Sequence, residues 1–229
     1  MIMKKRISIF NQIHRALRAM LYDCAMGLQL TDFTNSENAT ESLDQLEVVL
    51  RIFGRHAHTE DTFILPVVDR FNHALVKEFD SEHEKDEFIT HRLQSLIKVY
   101  YGCTADDVRI DAGESICRAF NEFIAFNLYH MNKEEEKLNP VLWQNYSDEE
   151  IRAIQDAIIK AVPEEDAYIC RGWILKGNSD ADIISWLKEI KNNAPCFVIE
   201  SMMSLAEQVL PKHRWERIQQ GLTEGLQLA

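Results

Sequence analysis

The sequence contains the same spacing of histidine and glutamate twice, in two segments that otherwise have the composition of long helices. His56 is followed four residues later by Glu60, and His130 is followed four residues later by Glu134. Because residues four apart lie above one another on one helix face, each helix can direct an imidazole nitrogen and a carboxylate oxygen to the same point. Both groups bind iron and neighbouring metals, and helix bundles build such sites from inward-facing side chains. The two pairs therefore predict a metal site between facing helices.

Both pairs lie in apolar stripes, which indicates that they point into a core. In the first segment the stripe steps by three or four residues through Leu46, Val49, Phe53, His56, Glu60, Phe63 and Val67. In the second segment it runs through Ile116, Phe120, Phe123, Asn127, His130, Glu134, Lys137 and Val141. This spacing is typical of the buried face of a helix. A buried glutamate is costly unless it is paired or bound to a metal, so the pattern favours a bound cation over a metal-free interaction module.

Two further histidines bring the number of contributing helices to four. His14 shares a stripe with Leu17, Leu21, Cys24 and Leu28, and is predicted to face the core from the first helix. His83 is predicted to open the third helix, whose stripe consists of Ile89, Leu93, Leu96 and Tyr100. Successive residues of a helix are rotated by about 100° around its axis. On this basis His83 lies about a quarter-turn from the centre of the stripe, and Glu87 lies further from it around the helix. Glu87 is therefore interpreted as a solvated acid.

In this order along the chain, the six residues resemble the ligand pattern of hemerythrin-like proteins, which carry the HHE cation-binding domain. The resemblance spans roughly residues 8–143. It implies an up-down four-helix bundle that holds a non-haem di-iron centre. Carried over by position, the terminal ligands would be His14, His56, His83 and His130, and the bridging ligands would be Glu60 and Glu134. These donor types would also accept manganese or zinc, so the assignment of two iron ions rests on the resemblance.

The chain departs from the oxygen-carrying hemerythrins at two positions. Those proteins have a second histidine on the third helix, where this chain has Glu87, and an acid five residues after the last histidine, where this chain has Glu135. We prefer Glu134 as the ligand because it repeats the spacing of His56 and Glu60. With one imidazole fewer, the site has an open position or a third carboxylate. The chain is interpreted as a di-iron protein that binds or senses oxygen, nitric oxide or iron; the alternatives are a di-iron oxidase or peroxide-consuming enzyme, and an iron-centre repair protein.

The other four histidines are expected at the surface. His58 and His91 lie on the far sides of their helices from the predicted ligands. His73 is predicted to fall in a connecting loop, and His213 in a distal helix. None of these four is predicted to bind the metal.

The fold class is predicted to be all-α, because helix formers dominate and no alternating β-branched segment is bounded by turn signals. Bundle helices are expected at roughly 8–30, 40–70, 81–101 and 105–143, with a loop over 31–39 and Pro66 bending the end of the second helix. Residues 1–145 would form the bundle, and residues 146–229 an extension of shorter helices. The extension is interpreted as a cap on the bundle or as a surface for homodimerisation. Ser147, Pro163, Ser179, Pro195 and Pro211 are predicted to begin its helices.

Charge and composition restrict the class of partner and compartment. The net charge of −12 argues against binding to a nucleic-acid backbone, which needs basic patches. Five scattered cysteines without a Cys-x-x-Cys motif indicate reduced thiols in the cytoplasm. No apolar run approaches the ~18 residues of a membrane span.

Overall fold

Helices account for all the regular structure of the computed structural model, which describes residues 6–223. The first helices are α1 (Asn11–Gln29), α2 (Ser36–Thr59), α3 (Leu65–Asp69), α4 (His73–Gly102) and α5 (Asp106–Asn145). Shorter helices follow: α6 (Asp148–Ala161), α7 (Glu164–Gly177), α8 (Asp180–Asn193), α9 (Cys196–Val209) and α10 (Lys212–Thr223). The predicted all-α class is confirmed, since residues 6–223 contain no strand. The up-down order of a four-helix bundle stays a prediction.

Contacts between Cα atoms group the chain into two units, and α1 contributes to both. Among the described residues, the first unit comprises 6–11 together with Met20–Val162, and the second comprises Gln12–Ala19 together with 163–223. Helix α6 therefore groups with the first unit, where Arg6 donates to the carboxylate of Asp148 over 2.5 Å. The predicted division at residue 145, between a four-helix bundle and a helical extension, stays a prediction.

The second and third bundle helices begin earlier than predicted, because an asparagine side chain caps each of them. The side chain of Asn35 accepts hydrogen bonds from the backbone amides of Glu37 and Asn38, so α2 begins at Ser36, inside the predicted loop. Asn72 accepts from the amide of Leu75 in the same way, and α4 begins at His73 rather than near residue 81. His73 is thus the first residue of a helix and not part of a loop. Such side-chain acceptors satisfy amide groups that the first helical turn leaves open.

The predicted second helix is interrupted by a π-helical segment at Glu60–Ile64, before α3 continues to Asp69. Pro66 lacks a backbone N–H and its ring excludes the carbonyl of Thr62 from the usual helical position, so the regular ladder is broken here. A π turn inserts an additional residue into the helix. After Glu60 the buried positions are accordingly Ile64, Leu65 and Val68, whereas the predicted Phe63 and Val67 are only half-buried.

Apolar side chains pack next to the predicted ligands in the first unit. Ile64 and Leu138 lie one turn after Glu60 and Glu134, in a cluster with Phe10, Leu65, Val68, Phe79 and Leu142. On the other side, the rings of Phe53 and Phe123 meet edge to face with centroids 5.3 Å apart. After Glu134 the buried residues are Leu138 and Leu142, so the predicted stripe positions Lys137 and Val141 are corrected: Lys137 is exposed and Val141 half-buried.

Gly113 on α5 gives a test of the packing within the first unit. A Cβ atom at this position would lie 2.2 Å from the ring of Phe33, so the ring packs directly on the glycine backbone. We expect Gly113→Ala to lower the free energy of unfolding by about 1–3 kcal/mol, because the ring has to move. At Gly54 on α2 a Cβ meets nothing within 4 Å, and Gly54→Ala should stabilise by up to ~1 kcal/mol. Urea unfolding of both variants measures the contrast; equal stability would mean that Phe33 does not pack on α5.

The second unit has its own apolar core, which α7–α10 form around Leu175, Ile183, Leu187, Leu205, Trp215 and Ile218. Arg214 donates to the Asp180 carboxylate over 2.8 Å, and Arg15 of α1 is paired with Asp182 over 2.5 Å.

The helix starts predicted at Ser147, Pro163, Ser179, Pro195 and Pro211 are confirmed, and Ser147 forms a full capping box with Glu150. A capping or dimerising role for this region stays a prediction. No helix within residues 6–223 is both long and apolar enough to cross a bilayer.

Candidate metal centre

The two histidine–glutamate pairs are stacked within their helices as the spacing predicts. His56 Nε2 lies 3.2 Å from Glu60 Oε1, and His130 Nε2 lies 2.9 Å from Glu134 Oε1. Glu60 is 1% exposed and Glu134 is fully buried. Each pair therefore directs one imidazole nitrogen and one carboxylate into the interior of the first unit.

His83 joins the same cluster, although its predicted helix phase placed it off the stripe. Its Nε2 atom lies 3.4 Å from Glu60 Oε2 and 3.2 Å from His130 Nε2. The buried face of α4 consists of Val76, Phe79, Asp86, Leu93, Ile97 and Tyr100. His83 falls between Phe79 and Asp86 on that face, and its side chain is only 9% exposed. The predicted phase differs from the observed one because the predicted stripe includes Leu96, which is only half-buried.

The potential ligand atoms fall into two groups, and both groups contain the same two glutamates. One group consists of His14, His56, Glu60 and Glu134, and the other of Glu60, His83, His130 and Glu134. Within each group the ligand atoms lie within 4.8 Å of one another. His14, on α1, is fully buried. All six residues singled out in the sequence are thus brought together in these groups.

The residues that were predicted to lie outside the site are at the surface. His58, His73, His91 and His213 are all exposed, and so is Glu87. His73 pairs with Asp69 of the preceding helix over 2.6 Å. Glu135, the alternative to Glu134, is half-buried and belongs to neither group of ligand atoms.

Several polar residues around the site were not anticipated from the sequence. Asp61 and Glu82 contact the outward nitrogens of His83 and His130. Asp86 is 6% exposed and accepts a hydrogen bond from the Asn127 side chain over 2.7 Å. Asp61 directly follows one predicted ligand and Glu82 directly precedes another, which is the only sequence signal for them. Asp86 lies three residues after His83 on the same helix face, and a correct phase for α4 would have found it.

Burial and close contact shift the pKa values of Glu60, His83 and His130 upwards. Burial, and then the charge of Glu134, raise the pKa of Glu60 well above its usual range. Burial by itself would lower the pKa of His130, but contacts with Glu134 and Glu60 outweigh it and raise that pKa to about 9. The pKa of His83 is raised for a similar reason, chiefly by its hydrogen bond to Asp61, against the effect of burial. The metal-free site thus disfavours the charged form of Glu60 and favours the charged forms of His83 and His130.

The chemistry of these side chains fits a bound divalent cation. Carboxylate oxygens and imidazole nitrogens are preferred ligands of iron, manganese and zinc. A cation would hold both glutamates ionised, which an apolar interior otherwise disfavours. The arrangement of two ligand groups around two common carboxylates can place one ion in each group.

Comparison with known proteins leads to the same family. The model of the hemerythrin HHE cation binding domain matches residues 5–142. The chain is also 21% identical over 173 residues to the F-box/LRR-repeat protein 5 of Salmo salar, a match that covers 76% of this chain. The chain spans about a quarter of the length of that relative, since the match covers 24% of it. No solved structure matches the chain. Because the family model covers more than half of the chain, this protein belongs to the hemerythrin HHE cation-binding domain family, as the six residues suggested.

Proposed function

We propose that this protein holds two iron ions and uses them to bind or sense a small molecule, either oxygen or nitric oxide, or to respond to iron itself. The proposed ligands are His14, His56, Glu60, His83, His130 and Glu134. The observation that carries the proposal is that both groups of ligand atoms contain Glu60 and Glu134. Two carboxylates common to both groups are suited to bridge two ions. Iron is favoured over manganese and zinc by the family to which the chain belongs.

The number of protein ligands supports binding of an external molecule. Each group supplies four residues, and non-haem iron sites commonly keep positions open for an external ligand. Each ion would therefore retain positions that the protein does not fill. An iron pair supplies redox chemistry and direct binding of diatomic gases. The protein residues hold the ions, fix their spacing and exclude bulk water.

The surroundings of the site favour a small, uncharged ligand. The rings of Phe79 and Phe126 pack on the His130 ring, with centroids 5.6 Å and 5.7 Å away, and the apolar Ile64 and Leu138 lie one turn after Glu60 and Glu134. In an apolar interior, transfer of a charged or strongly polar molecule is costly. Oxygen and nitric oxide carry no charge and need little space. A bulky substrate would have to displace buried aromatic side chains, so turnover of such a substrate is disfavoured.

Exposure of the reduced, iron-loaded protein to each gas tests this proposal and separates it from enzyme action. A reversible change in the visible spectrum with oxygen supports a carrier. A single oxidation that needs added reductant for reversal supports a sensor. Many turnovers with reductant and oxygen or peroxide support the alternative of an oxidase or peroxide-consuming enzyme. Zinc-loaded protein is the control, because it keeps the ligands but lacks the redox chemistry. An iron-loaded spectrum that responds to neither gas nor to peroxide would contradict the proposed binding of oxygen or nitric oxide.

A further inference from the structure

Both ring nitrogens of His83 and of His130 lie near carboxylates, one on the inner and one on the outer side of each ring. On the inner side, Nε2 of His83 is 3.4 Å from Glu60 and Nε2 of His130 is 2.9 Å from Glu134. On the outer side, Nδ1 of His83 is 2.6 Å from Asp61 Oδ1 and Nδ1 of His130 is 2.7 Å from Glu82 Oε2. An ionised carboxylate can accept a hydrogen bond but cannot donate one. The outer acid therefore keeps a proton on Nδ1 of the histidine that it contacts.

The inner nitrogens also constrain where the protons lie. The two Nε2 atoms are 3.2 Å apart. Two N–H groups that pointed at each other over this distance would repel, so at least one Nε2 presents a lone pair. An imidazole with a proton on Nδ1 and a free lone pair on Nε2 is in the form that binds a metal through Nε2.

Each outer acid comes from a different helical element than the histidine that it contacts. Asp61 lies in the π-helical segment and contacts His83 of α4. Glu82 lies on α4 and contacts His130 of α5. The two hydrogen bonds therefore fix ring orientation and also tie three consecutive parts of the chain together around the site.

Lys133 supports one of the two outer acids. Its ammonium group pairs with Glu82, and with Glu78 over 2.6 Å, while it lies 5.0 Å from the centre of the Phe79 ring. These contacts hold the Glu82 carboxylate in one place and keep it ionised. Glu82 is therefore a fixed, charged acceptor for the Nδ1 proton of His130.

We propose that Asp61 and Glu82 are positioning residues that hold His83 and His130 with Nδ1–H directed outwards and Nε2 directed at Glu60 and Glu134. Neither acid is a ligand in this role, and each acts through the imidazole that it orients. The effect on metal binding rests on the function proposed above. Outer partners of this kind typically change metal affinity by about 10–100-fold.

Anaerobic titration with Fe²⁺ against a chelator tests the effect on binding. Asp61→Ala and Glu82→Ala should each weaken one of the two binding steps about 10–100-fold and the other step much less, since both acids serve the same ligand group. Glu82→Gln should recover most of the loss, because its amide oxygen still accepts from Nδ1. The matched controls are Glu84→Ala on α4 and Glu47→Ala on α2, two exposed acids, which should leave both steps unchanged.

Proton–nitrogen correlation spectra of the histidine rings provide a readout that does not depend on metal affinity. In metal-free and in zinc-loaded protein, His83 and His130 should each show a slowly exchanging Nδ1 proton, and Asp61→Ala and Glu82→Ala should each remove one of the two. Zinc-loaded wild-type protein with the ring proton on Nε2, or alanine variants that keep both Nδ1 signals, would overturn the inference. Wild-type protein that takes up fewer than two ions would instead contradict the proposed function, and the ring spectra would still decide this inference.

Discussion

Replacement of Glu134 by glutamine is expected to abolish binding of both metal ions and yet to stabilise the metal-free protein. Both groups of ligand atoms contain Glu134, so the loss of its charge affects both ions. In the metal-free protein the same change removes a negative charge from a fully buried position beside Glu60, whose pKa is raised by burial and by that charge. Above about pH 9, where His130 is neutral and its pairing with Glu134 adds no stability, we expect a gain of about 1–3 kcal/mol in the free energy of unfolding.

Metal content and urea unfolding in excess chelator measure the two parts of this prediction. Glu135→Gln is the matched control, since it changes the neighbouring acid, which is half-buried and outside both groups. It should retain two ions and leave the unfolding midpoint of the metal-free protein nearly unchanged. Should Glu135→Gln lose metal while Glu134→Gln keeps it, the acid chosen from the sequence would be the wrong one.

The second large effect is a pH-dependent difference between metal-loaded and metal-free stability. In the metal-free protein the pKa of His130 is raised from 6.5 to about 9, so the folded chain binds this proton more tightly than the unfolded chain. The stability from that shift is fully present below pH 6.5 and is lost as the pH rises towards about 9. The raised pKa of Glu60 likewise stabilises the folded, metal-free protein at low pH. This contribution to stability begins to be lost as the pH rises above the ordinary pKa of 4.5.

Bound metal has the opposite dependence on pH, because its ligands have to be deprotonated. A ligand at ~100 times its dissociation constant adds about 2.7 kcal/mol to the folded state. The Tm of iron-loaded protein should therefore exceed that of metal-free protein near neutral pH, and the gap should close towards about pH 5.

Melting curves of two histidine variants separate site effects from general effects. His14→Ala should shrink the gap between metal-loaded and metal-free Tm, since His14 is fully buried in one ligand group. His91→Ala, at an exposed position on α4, should leave the gap unchanged. Equal melting curves with and without iron at neutral pH, in protein that binds iron, would contradict the coupling between metal binding and folding.

The inward-facing residues could be predicted from the sequence because a helix repeats regularly. The stripe that contains His14 and Leu17 needs only the 3.6-residue period, and all its predicted members are buried. The same period placed His56 above Glu60 and His130 above Glu134. Each of these statements is local to one helix, where sequence spacing translates directly into direction.

Positions that depend on an irregularity or on a neighbouring helix could not be predicted. The π-helical segment after Glu60 shifts the stripe by one residue, and spacing alone contains no signal for it beyond Pro66. The predicted phase of α4 is displaced because spacing alone does not distinguish Leu96, which is half-buried, from Ile97, which is buried. That displacement hid the inward direction of His83 and the buried Asp86. Contacts such as Glu82 with His130 join different helices, so they require the packing itself.

X-ray absorption of the iron-loaded protein, with the iron content of the same sample, tests the two-ion site most directly. Ions that share Glu60 and Glu134 should lie about 3.5–4 Å apart, as in other two-metal sites. We predict two iron ions per chain, nitrogen and oxygen ligands, and an iron–iron scattering contribution at that distance. A single iron per chain, or two irons without any iron–iron contribution, would contradict a shared site.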